Sequence, residues 1–349
     1  MSGTRRFPRR TFLGVAGAVA LGACKRKDVG SAAPSLQEGT MPPSVEGMVP
    51  QRPLGKTGVN VSIVGLGGYH LGNASDEKEA VRMVHAAIDR GMTFMDNCWD
   101  YHDGKSEVWM GNALAQDGYR KKAFLMTKVD GRTKKAAADQ LEESLRRLRT
   151  DMIDCVQLHE IIRDSDPERC FAPGGAIEAM IDAKRAGKLR LIGFTGHKDP
   201  SIHLAMLKAA DEHDFEFDTV QLPLNVLDAH YRSFEKMVLP VLVQKGIGVL
   251  GMKPMSAGKI FETKKVSATE CLHYAMNLPT SVVITGCESM PLLEQAIQAA
   301  LTFQPIPAEK VTALLDRTRE LGKGGKLEPF KTTTEHDGTV EHPEWLESA

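Results

Sequence analysis

The chain has 349 residues, of which 42% are hydrophobic and 26% are charged, and its formal net charge is -1. These values are typical of a soluble globular protein, and they leave no excess of basic residues that would attract nucleic acid. We therefore expect no nucleic-acid partner. The length is compatible with two domains or with a single α/β barrel.

The first 51 residues differ in character from the rest of the chain. Residues 9–13 (RRTFL) precede a short apolar run and resemble a twin-arginine export signal, and residues 21–24 (LGAC) resemble a bacterial lipobox in which Cys24 carries the lipid. We predict a signal segment at 1–24 and a flexible linker rich in Ser, Gly and Pro at 25–51. The protein would then be periplasmic or a membrane-anchored lipoprotein, in contact with the membrane only through this anchor. An uncleaved anchor and a chance basic-apolar run are the alternatives.

The cysteines do not indicate a disulfide framework or a metal centre. Six are present, so five remain besides Cys24. Their odd number and wide spacing fit neither paired cysteines nor a CxxC ligand pattern, and no metal site is predicted. Because twin-arginine export moves folded proteins, we expect buried thiols to stay reduced. The five are Cys98, Cys155, Cys170, Cys271 and Cys287.

Short apolar segments alternate with amphipathic helical segments along the rest of the chain. Asp76 and Glu79 have the spacing of a helix-capping pair, and Gly91, Gly187 and Gly246 fall where helices should end. Eight strands are predicted, at 61–65, 93–96, 123–128, 152–159, 189–194, 219–222, 247–252 and 281–285.

This alternation predicts an α/β fold, the (β/α)8 TIM barrel, over residues 52–322, followed by a C-terminal tail at 323–349. A hairpin at 52–59 would cross the bottom of the barrel. An open dinucleotide-binding sheet is the rival fold, because residues 65–67 (GLG) follow a strand. However, His70 replaces the third glycine of that motif, and we expect no helix to open there.

Four polar residues end consecutive predicted strands or lie just after them. Asp96 ends the second strand, Tyr101 lies in the following loop, Lys128 ends the third strand and His159 the fourth. In a barrel these positions meet at one face. We expect Asp96 to hold Lys128, Lys128 to lower the pKa of Tyr101, and His159 to bind a carbonyl oxygen. Residues 103–106 would then supply a turn and a helix N-cap before a helix at 107–115. Alone, each residue also has an ordinary structural explanation.

At this point the sequence resembles the aldo/keto reductase family over residues 52 to about 321. Residues 91–111 resemble its DxxxxY and GxSE segment, and residues 187–195 and 248–255 resemble its fifth and seventh strands. The resemblance implies that Tyr101 is the general acid, that Lys128 and Asp96 tune it, and that His159 orients the substrate. Hydride would pass between a nicotinamide cofactor and a small carbonyl or alcohol substrate.

The resemblance also implies a cofactor site around the barrel mouth. Thr195 and Gln221 match residues that hold the nicotinamide carboxamide, and Met252 replaces an aromatic residue that stacks on the ring. Glu288 stands where a basic residue commonly meets the 2′-phosphate, so NADP is implied by the family and NAD by this residue. The predicted cofactor-binding residues are Gly68, Tyr69, Asp96, Thr195, Gln221, Met252, Lys253, Pro254, Met255, Gly286, Cys287 and Glu288.

The substrate is less well defined by the sequence. Tyr69, Trp99 and His159 are the predicted substrate contacts, although Trp99 is equally interpreted as a packing residue. The segment at 328–346 either folds over the mouth or trails along the surface. Two further interpretations stay open: a nicotinamide-binding regulatory module with little turnover, and an isomerase or lyase acting on sugars. The oligomeric state is not predicted.

Overall fold

The computed structural model describes residues 45–347, and it contains a closed barrel of eight parallel strands. A short antiparallel hairpin, β1 (Gln51–Pro53) and β2 (Asn60–Ser62), precedes the barrel. The barrel strands are β3 (Val64–Gly67), β4 (Phe94–Asp96), β5 (Phe124–Val129), β6 (Ile153–Leu158), β7 (Leu189–Thr195), β8 (Thr219–Pro223), β9 (Gly248–Met252) and β10 (Val282–Gly286). They pair in chain order, and β10 pairs with both β9 and β3.

Helices surround the barrel and cover its mouth. They are α1 (Gly68–Leu71), α2 (Glu77–Asp89), α3 (Lys105–Leu114), α4 (Tyr119–Lys122), α5 (Lys134–Arg147), α6 (Asp166–Phe171), α7 (Ala176–Arg185), α8 (Pro200–Glu212), α9 (Phe234–Met237), α10 (Leu239–Lys245), α11 (Ala268–Asn277), α12 (Met290–Leu301), α13 (Ala308–Gly322), α14 (Pro329–Thr332) and α15 (Gly338–Glu341). Short 3₁₀ helices occupy Asp228–His230, Ser256–Thr263, Lys323–Gly325 and Pro343–Leu346. Within residues 45–347, no helix combines the length and apolar composition needed to span a bilayer.

The predicted barrel is confirmed, with one change at its first strand. The predicted strand at 61–65 is divided: β2 ends at Ser62, and β3 begins at Val64. A helix does open after the GLG turn, contrary to expectation, but α1 is only four residues long. The capping pair is confirmed, since Asp76 Oδ1 accepts a hydrogen bond of 2.9 Å from the Glu79 backbone. The third helix begins at Lys105 with Gly104 as its N-cap, two residues before the predicted start.

The barrel interior explains why the strands are so apolar. Alternate strand residues point inward and pack in layers, and Phe94 stacks on Phe124 with 5.0 Å between ring centroids. Leu54 and Val61 of the hairpin pack against the same cluster and close its bottom. The hairpin turn needs Gly55, because its φ is +52° and a Cβ there would lie 2.4 Å from the Gly248 backbone nitrogen.

The ordered body begins slightly earlier than predicted, and its C-terminal segment packs over the barrel mouth. Val49 is buried, and its backbone donates to Arg90, so the linker cannot extend to residue 51. Most of the predicted signal and linker, including Cys24, lies outside the described residues. The tail folds back rather than trailing: Asp337 Oδ1 lies 2.8 Å from His197 Nε2, and the Leu346 carbonyl accepts from the Arg132 backbone.

Candidate active site

The inward alternation of the strands brings the predicted site residues to one end of the barrel. Phe94 points into the barrel core, so Asp96 points the same way two residues later, at the rim. The same step from Met126 places Lys128 at the end of β5. Thr195, Met252 and Gly286 are the last residues of β7, β9 and β10, and Gln221 lies two residues before the end of β8, paired with Thr195. The two-residue alternation of the strands therefore places apolar side chains inside the barrel and polar side chains at its carboxyl end.

Lys128 lies at the centre of this polar mouth, and its side chain is only 1% exposed. Its Nζ donates to Asp96 Oδ1 at 2.6 Å, to the Asn97 carbonyl at 2.7 Å and to Tyr101 Oη at 3.3 Å. These three bonds use all the donors of an ammonium group. We call Asp96, Tyr101, Lys128 and His159 the tetrad. The amine of Lys128 and the phenol of Tyr101 lie within hydrogen-bonding distance of each other, as the proposed roles of the tetrad require.

The electrostatics of this trio differ in one respect from the sequence-based prediction. Burial opposes the charge on Lys128, but the Asp96 carboxylate and the other acidic groups nearby together outweigh it and raise the lysine pKa. Tyr101 was expected to have a lowered pKa, and this was wrong: burial and the Asp96 carboxylate raise the pKa of Tyr101 well above its usual value. Burial is the larger cause, and the Asp96 carboxylate offsets the ammonium that would have favoured a phenolate. Tyr101 consequently stays in the protonated form that a proton donor needs.

His159 faces Tyr101 from the end of β6. Their ring centroids are 5.9 Å apart, with the rings nearly perpendicular at 82°. His159 Nδ1 lies 2.9 Å from Asp130 Oδ1. Nε2, on the other side of the ring, has no hydrogen-bond partner among residues 45–347, so it is the nitrogen available to a substrate carbonyl.

Two neighbouring strands offer groups that fit a nicotinamide carboxamide. Gln221 is almost fully buried in the middle of β8, and its Oε1 finds no hydrogen-bond partner within the described part of the chain. Thr195 Oγ1, on the neighbouring strand, has only the Met252 sulfur as an acceptor, at 3.8 Å. A carboxamide supplies both a donor and an acceptor, so it would satisfy the buried Gln221 oxygen and the Thr195 hydroxyl together.

The segment after β9 forms another side of the mouth. Lys253 adopts a left-handed φ of 52°, and its Nζ lies 5.2 Å from the centre of the Phe330 ring in the tail. Burial lowers the pKa of Lys253 to about 8. Pro254 is buried, whereas Met252 and Met255 are partly exposed at the rim. All four residues therefore lie on the face where the cofactor was predicted.

Glu288 follows β10, which pairs with β3 and closes the barrel. Its carboxylate was predicted to contact the ribose. Glu288 Oε1 lies 2.7 Å from His70 Nδ1 and accepts from Asn73 at 3.1 Å. Hydrogen bonding from His70 lowers the pKa of Glu288, which keeps it anionic. A Cβ on Gly286 would collide with His70 at 2.0 Å, and the Cys287 side chain is buried. Only the backbone of these two residues can contact a ligand.

Gly68 and Tyr69 complete the rim beside the tetrad. A Cβ on Gly68 would lie 2.6 Å from the Asp96 carbonyl oxygen, so glycine is needed for the close approach of β3 and β4. Tyr69 is 50% exposed, and its ring packs edge-on against Tyr101 with centroids 5.4 Å apart. It therefore forms one wall of the opening above the phenol.

A comparison with known protein families decides the identity of this fold and site. The model of the aldo/keto reductase family matches residues 63–270, which include all four tetrad residues. The chain belongs to the aldo/keto reductase family.

Individual relatives are distant. An oxidoreductase of Bacillus subtilis named uncharacterized oxidoreductase YrpG is 31% identical over 224 residues, which is 59% of this chain and 66% of that protein. L-galactose dehydrogenase of Arabidopsis thaliana is 25% identical over 328 residues, covering 81% of this chain and 96% of the relative. The holo form of the aldo-keto reductase AKR11C1 from Bacillus halodurans superposes with a TM-score of 0.65 at 23% identity, over 76% of this chain and 95% of that chain. This last likeness supports the barrel fold alone.

One predicted substrate contact of this aldo/keto reductase has a packing role instead. Trp99 Nε1 donates to Glu143 at 2.7 Å, and the guanidinium of Arg147 lies 5.7 Å from the indole centre. The other edge of the ring meets Trp345 of the tail, with centroids 5.7 Å apart. Of the two interpretations of Trp99, the structure favours the packing residue.

Sequence reasoning missed three polar groups around His159. Cys98 Sγ lies 3.3 Å from His159 Nδ1, and Asp100 Oδ1 lies 3.7 Å from the same nitrogen. Asp130 completes the set at 2.9 Å. The only available signal was that Asp130 follows Lys128 by two residues and so shares its orientation. Nothing in the spacing indicated that the loops after β4 and β5 bring these side chains to His159, which follows β6.

Proposed function

We propose that this protein transfers hydride between a bound nicotinamide dinucleotide and a small carbonyl or alcohol compound. The observation that carries the proposal is the 3.3 Å contact between Tyr101 Oη and Lys128 Nζ at the carboxyl end of the barrel. This contact holds the protonated phenol of Tyr101 beside the buried ammonium of Lys128, at the mouth of a barrel that belongs to the aldo/keto reductase family. The family and its oxidoreductase relatives support the same reaction class.

Each residue of the tetrad has a separate role in the proposed reaction. The reduced nicotinamide supplies hydride to the carbonyl carbon when it is bound. Tyr101 gives its proton to the carbonyl oxygen, and Lys128 stabilises the phenolate that remains. Asp96 keeps Lys128 charged and in position through the 2.6 Å ion pair. His159 contributes Nε2 to the same oxygen and fixes its approach to the phenol. In the reverse direction, Tyr101 takes up the proton of the alcohol.

The choice of dinucleotide follows from Glu288. Its carboxylate would repel a 2′-phosphate and would accept a hydrogen bond from a ribose hydroxyl. Support for NADP comes from the family as a whole, whereas support for NAD comes from this side chain. We propose NAD as the preferred cofactor, and fluorescence titration should give a lower Kd for NADH than for NADPH. Tighter binding of NADPH would contradict this assignment.

Tyr101→Phe tests the proposed reaction. The variant should lose carbonyl-dependent oxidation of the reduced dinucleotide by at least about a hundredfold, the usual scale for removing a positioned acid. It should still bind the dinucleotide, because the ring is retained. Tyr119→Phe is the matched control: that hydroxyl donates to Asp89 on the exposed outside of the barrel, so turnover should be unchanged.

The outcomes separate the candidate functions. Unchanged turnover in Tyr101→Phe would show that the phenol is not the acid. Tight dinucleotide binding without turnover by the unaltered protein, over a broad panel of aldehydes and ketones, would favour the regulatory module instead. Turnover without net oxidation or reduction of the cofactor would favour an isomerase or lyase.

We also propose that the protein is exported and lipid-anchored through Cys24. The support is the order and spacing of residues 9–13 and 21–24 in the sequence. Since free dinucleotides are not regenerated outside the cytoplasm, the cofactor would be loaded before export and remain bound. A mature protein that retains residues 1–23 after expression in a bacterial host would contradict the anchor.

A further inference from the structure

We propose a binding site for one divalent metal ion, with Zn²⁺ as the best match, on the inner side of the His159 ring. Its four ligands are the side chains of Cys98, Asp100, Asp130 and His159. Together they provide one sulfur, one nitrogen and two carboxylate oxygens. Zn²⁺ binds all three donor types and prefers four ligands in a tetrahedral arrangement.

The donor atoms lie close to the separations of a tetrahedral site. The one donor atom from each residue lies within 4.8 Å of all the others. Around His159 Nδ1 the distances are 2.9 Å to Asp130 Oδ1, 3.3 Å to Cys98 Sγ and 3.7 Å to Asp100 Oδ1. With Zn–N near 2.0 Å and Zn–S near 2.3 Å, sulfur and nitrogen ligands stand about 3.5 Å apart. Small side-chain movements are therefore enough to close four bonds.

Two carboxylate oxygens in this cluster lack partners, which is the observation that points to a ligand. Asp130 is fully buried, and among residues 45–347 its Oδ2 accepts no hydrogen bond. Asp100 Oδ1 is also buried and equally unpartnered within that part of the chain, and it is directed at His159. A buried carboxylate oxygen without a partner is costly. A cation between the two aspartates would satisfy both.

Apart from the His159 ring, which lies 2.9 Å from Asp130 and 3.7 Å from Asp100, no cationic side chain among residues 45–347 bonds to these two carboxylates. The Lys128 ammonium is committed to Asp96, the Asn97 carbonyl and Tyr101. Arg132 lies close by, but its Nη1 donates to the Asp130 main-chain carbonyl at 2.6 Å and not to the carboxylate. The cluster thus places two carboxylates against one imidazole, which can carry at most one positive charge. A divalent ion bonded to His159 Nδ1 in place of that proton would supply one positive charge for each carboxylate.

Metal binding at this place is compatible with the proposed reaction. The metal would bond to His159 Nδ1, which leaves the ring proton on Nε2 and turned toward the substrate. The Cys98 thiol would lose its proton to solvent and bond as a thiolate. Only this catalytic consequence rests on the proposed function, since metal binding itself requires no turnover. The metal would fix the tautomer of His159 in the way that partner groups commonly fix a histidine.

The experiment measures metal binding on the purified full chain, after chelator treatment and buffer exchange. Isothermal titration with Zn²⁺ should give one equivalent per chain, and Co²⁺ should give the near-ultraviolet absorption of a thiolate–metal bond. Asp130→Asn should weaken Zn²⁺ binding by at least about a hundredfold, as expected for a lost ligand. Cys98→Ser should abolish the thiolate absorption.

The controls keep the result independent of folding and of catalysis. Cys271→Ser removes a buried thiol outside the cluster and should change neither stoichiometry nor absorption. Tyr101→Phe should bind Zn²⁺ normally even though it is expected to be inactive. Lack of stoichiometric binding and of the Co²⁺ absorption in the unaltered protein would overturn the proposal without any need for a variant. So would Zn²⁺ binding that is unchanged in both Asp130→Asn and Cys98→Ser. A failure of carbonyl reduction alone would overturn only the proposed function.

Discussion

Lys128→Met is expected to abolish turnover and to lower the free energy of unfolding by about 3–5 kcal/mol. The substitution keeps most of the side-chain volume but removes an ammonium that makes three hydrogen bonds in a buried site. The Asp96 carboxylate then stays buried without its counter-ion, and Tyr101 loses the cation that stabilises its ionised form. Steady-state assays and denaturant unfolding of the same preparation measure the two effects together.

The stability loss in this variant should depend on pH. Burial already raises the pKa of Asp96 in the unaltered protein, although the Lys128 ammonium opposes this, and removal of the ammonium should raise that pKa further. A raised carboxyl pKa in the folded state means that the unfolded state releases the proton first as pH rises. Stability should therefore fall further as the pH increases through that range, and the deficit should be smallest in acid. A deficit that is constant with pH would contradict a buried, unpaired Asp96.

A second buried lysine allows stability and catalysis to be separated. Lys331 Nζ also makes three contacts, with Asp228 at 2.7 Å, Glu328 at 2.9 Å and the Tyr231 carbonyl at 2.9 Å, but none is in the tetrad. Lys331→Met should be destabilised to a similar extent, yet its folded fraction should turn over normally. The double variant Lys128→Met/Asp96→Asn should regain stability and remain inactive. If it regained activity, Lys128 would have no role beyond the ion pair.

The sequence was sufficient to predict the parts of the site that follow from strand periodicity. Asp96 and Lys128 could be placed at one rim because each ends an apolar strand, and parallel barrel strands all end at the same face. Thr195 and Gln221 were assigned from the family resemblance, and the structure places them on the paired strands β7 and β8. The chain order of these positions fixes their neighbours around the barrel, so no information about long-range contacts was needed.

Other features depend on contacts that leave no periodic pattern. The docking of the tail rests on single polar contacts, such as Asp337 with His197, between residues far apart in the chain. The cluster of Cys98, Asp130 and His159 forms because loops after three strands converge. The pKa of Tyr101 was misjudged because its direction depends on burial and on the neutralising effect of Asp96, which only the packed structure reveals.

Arg132 illustrates such a contact and carries the second large expected effect. Its guanidinium is fully buried and donates to Asp166 Oδ1 at 2.9 Å and to the carbonyls of Asp130, His159 and Glu160 at 2.6–2.8 Å. It thereby joins the loops that follow β5 and β6 directly behind the histidine. Burial would raise the pKa of Asp166, but the Arg132 guanidinium and the backbone N–H groups of Ile162 and Arg163 together hold that pKa below its ordinary value.

Arg132→Met should accordingly lower the free energy of unfolding by about 3–5 kcal/mol, because Asp166 loses its buried counter-ion and three carbonyls lose their donor. Among residues 45–347, the carboxylate keeps only the backbone hydrogen bonds from Ile162 and Arg163 to its Oδ2 as close contacts. Since the native pair depresses the pKa of Asp166, its contribution is present above the carboxyl's unfolded pKa and is lost as pH falls through the folded value. Denaturant unfolding at neutral and acidic pH measures this: the gap between the unaltered protein and the variant should narrow in acid.

The companion variants determine what Arg132 does. Arg132→Met/Asp166→Asn should recover part of the stability, because the buried charge is gone while the carbonyls stay unpaired. Arg82→Met, at an exposed ion pair with Glu79, should change the free energy of unfolding by less than about 0.5 kcal/mol. If Arg132→Met loses stability but keeps turnover per folded molecule, the guanidinium supports the fold only. If turnover also falls while the double variant remains slow, the carbonyl bonds of Arg132 position His159 for the reaction.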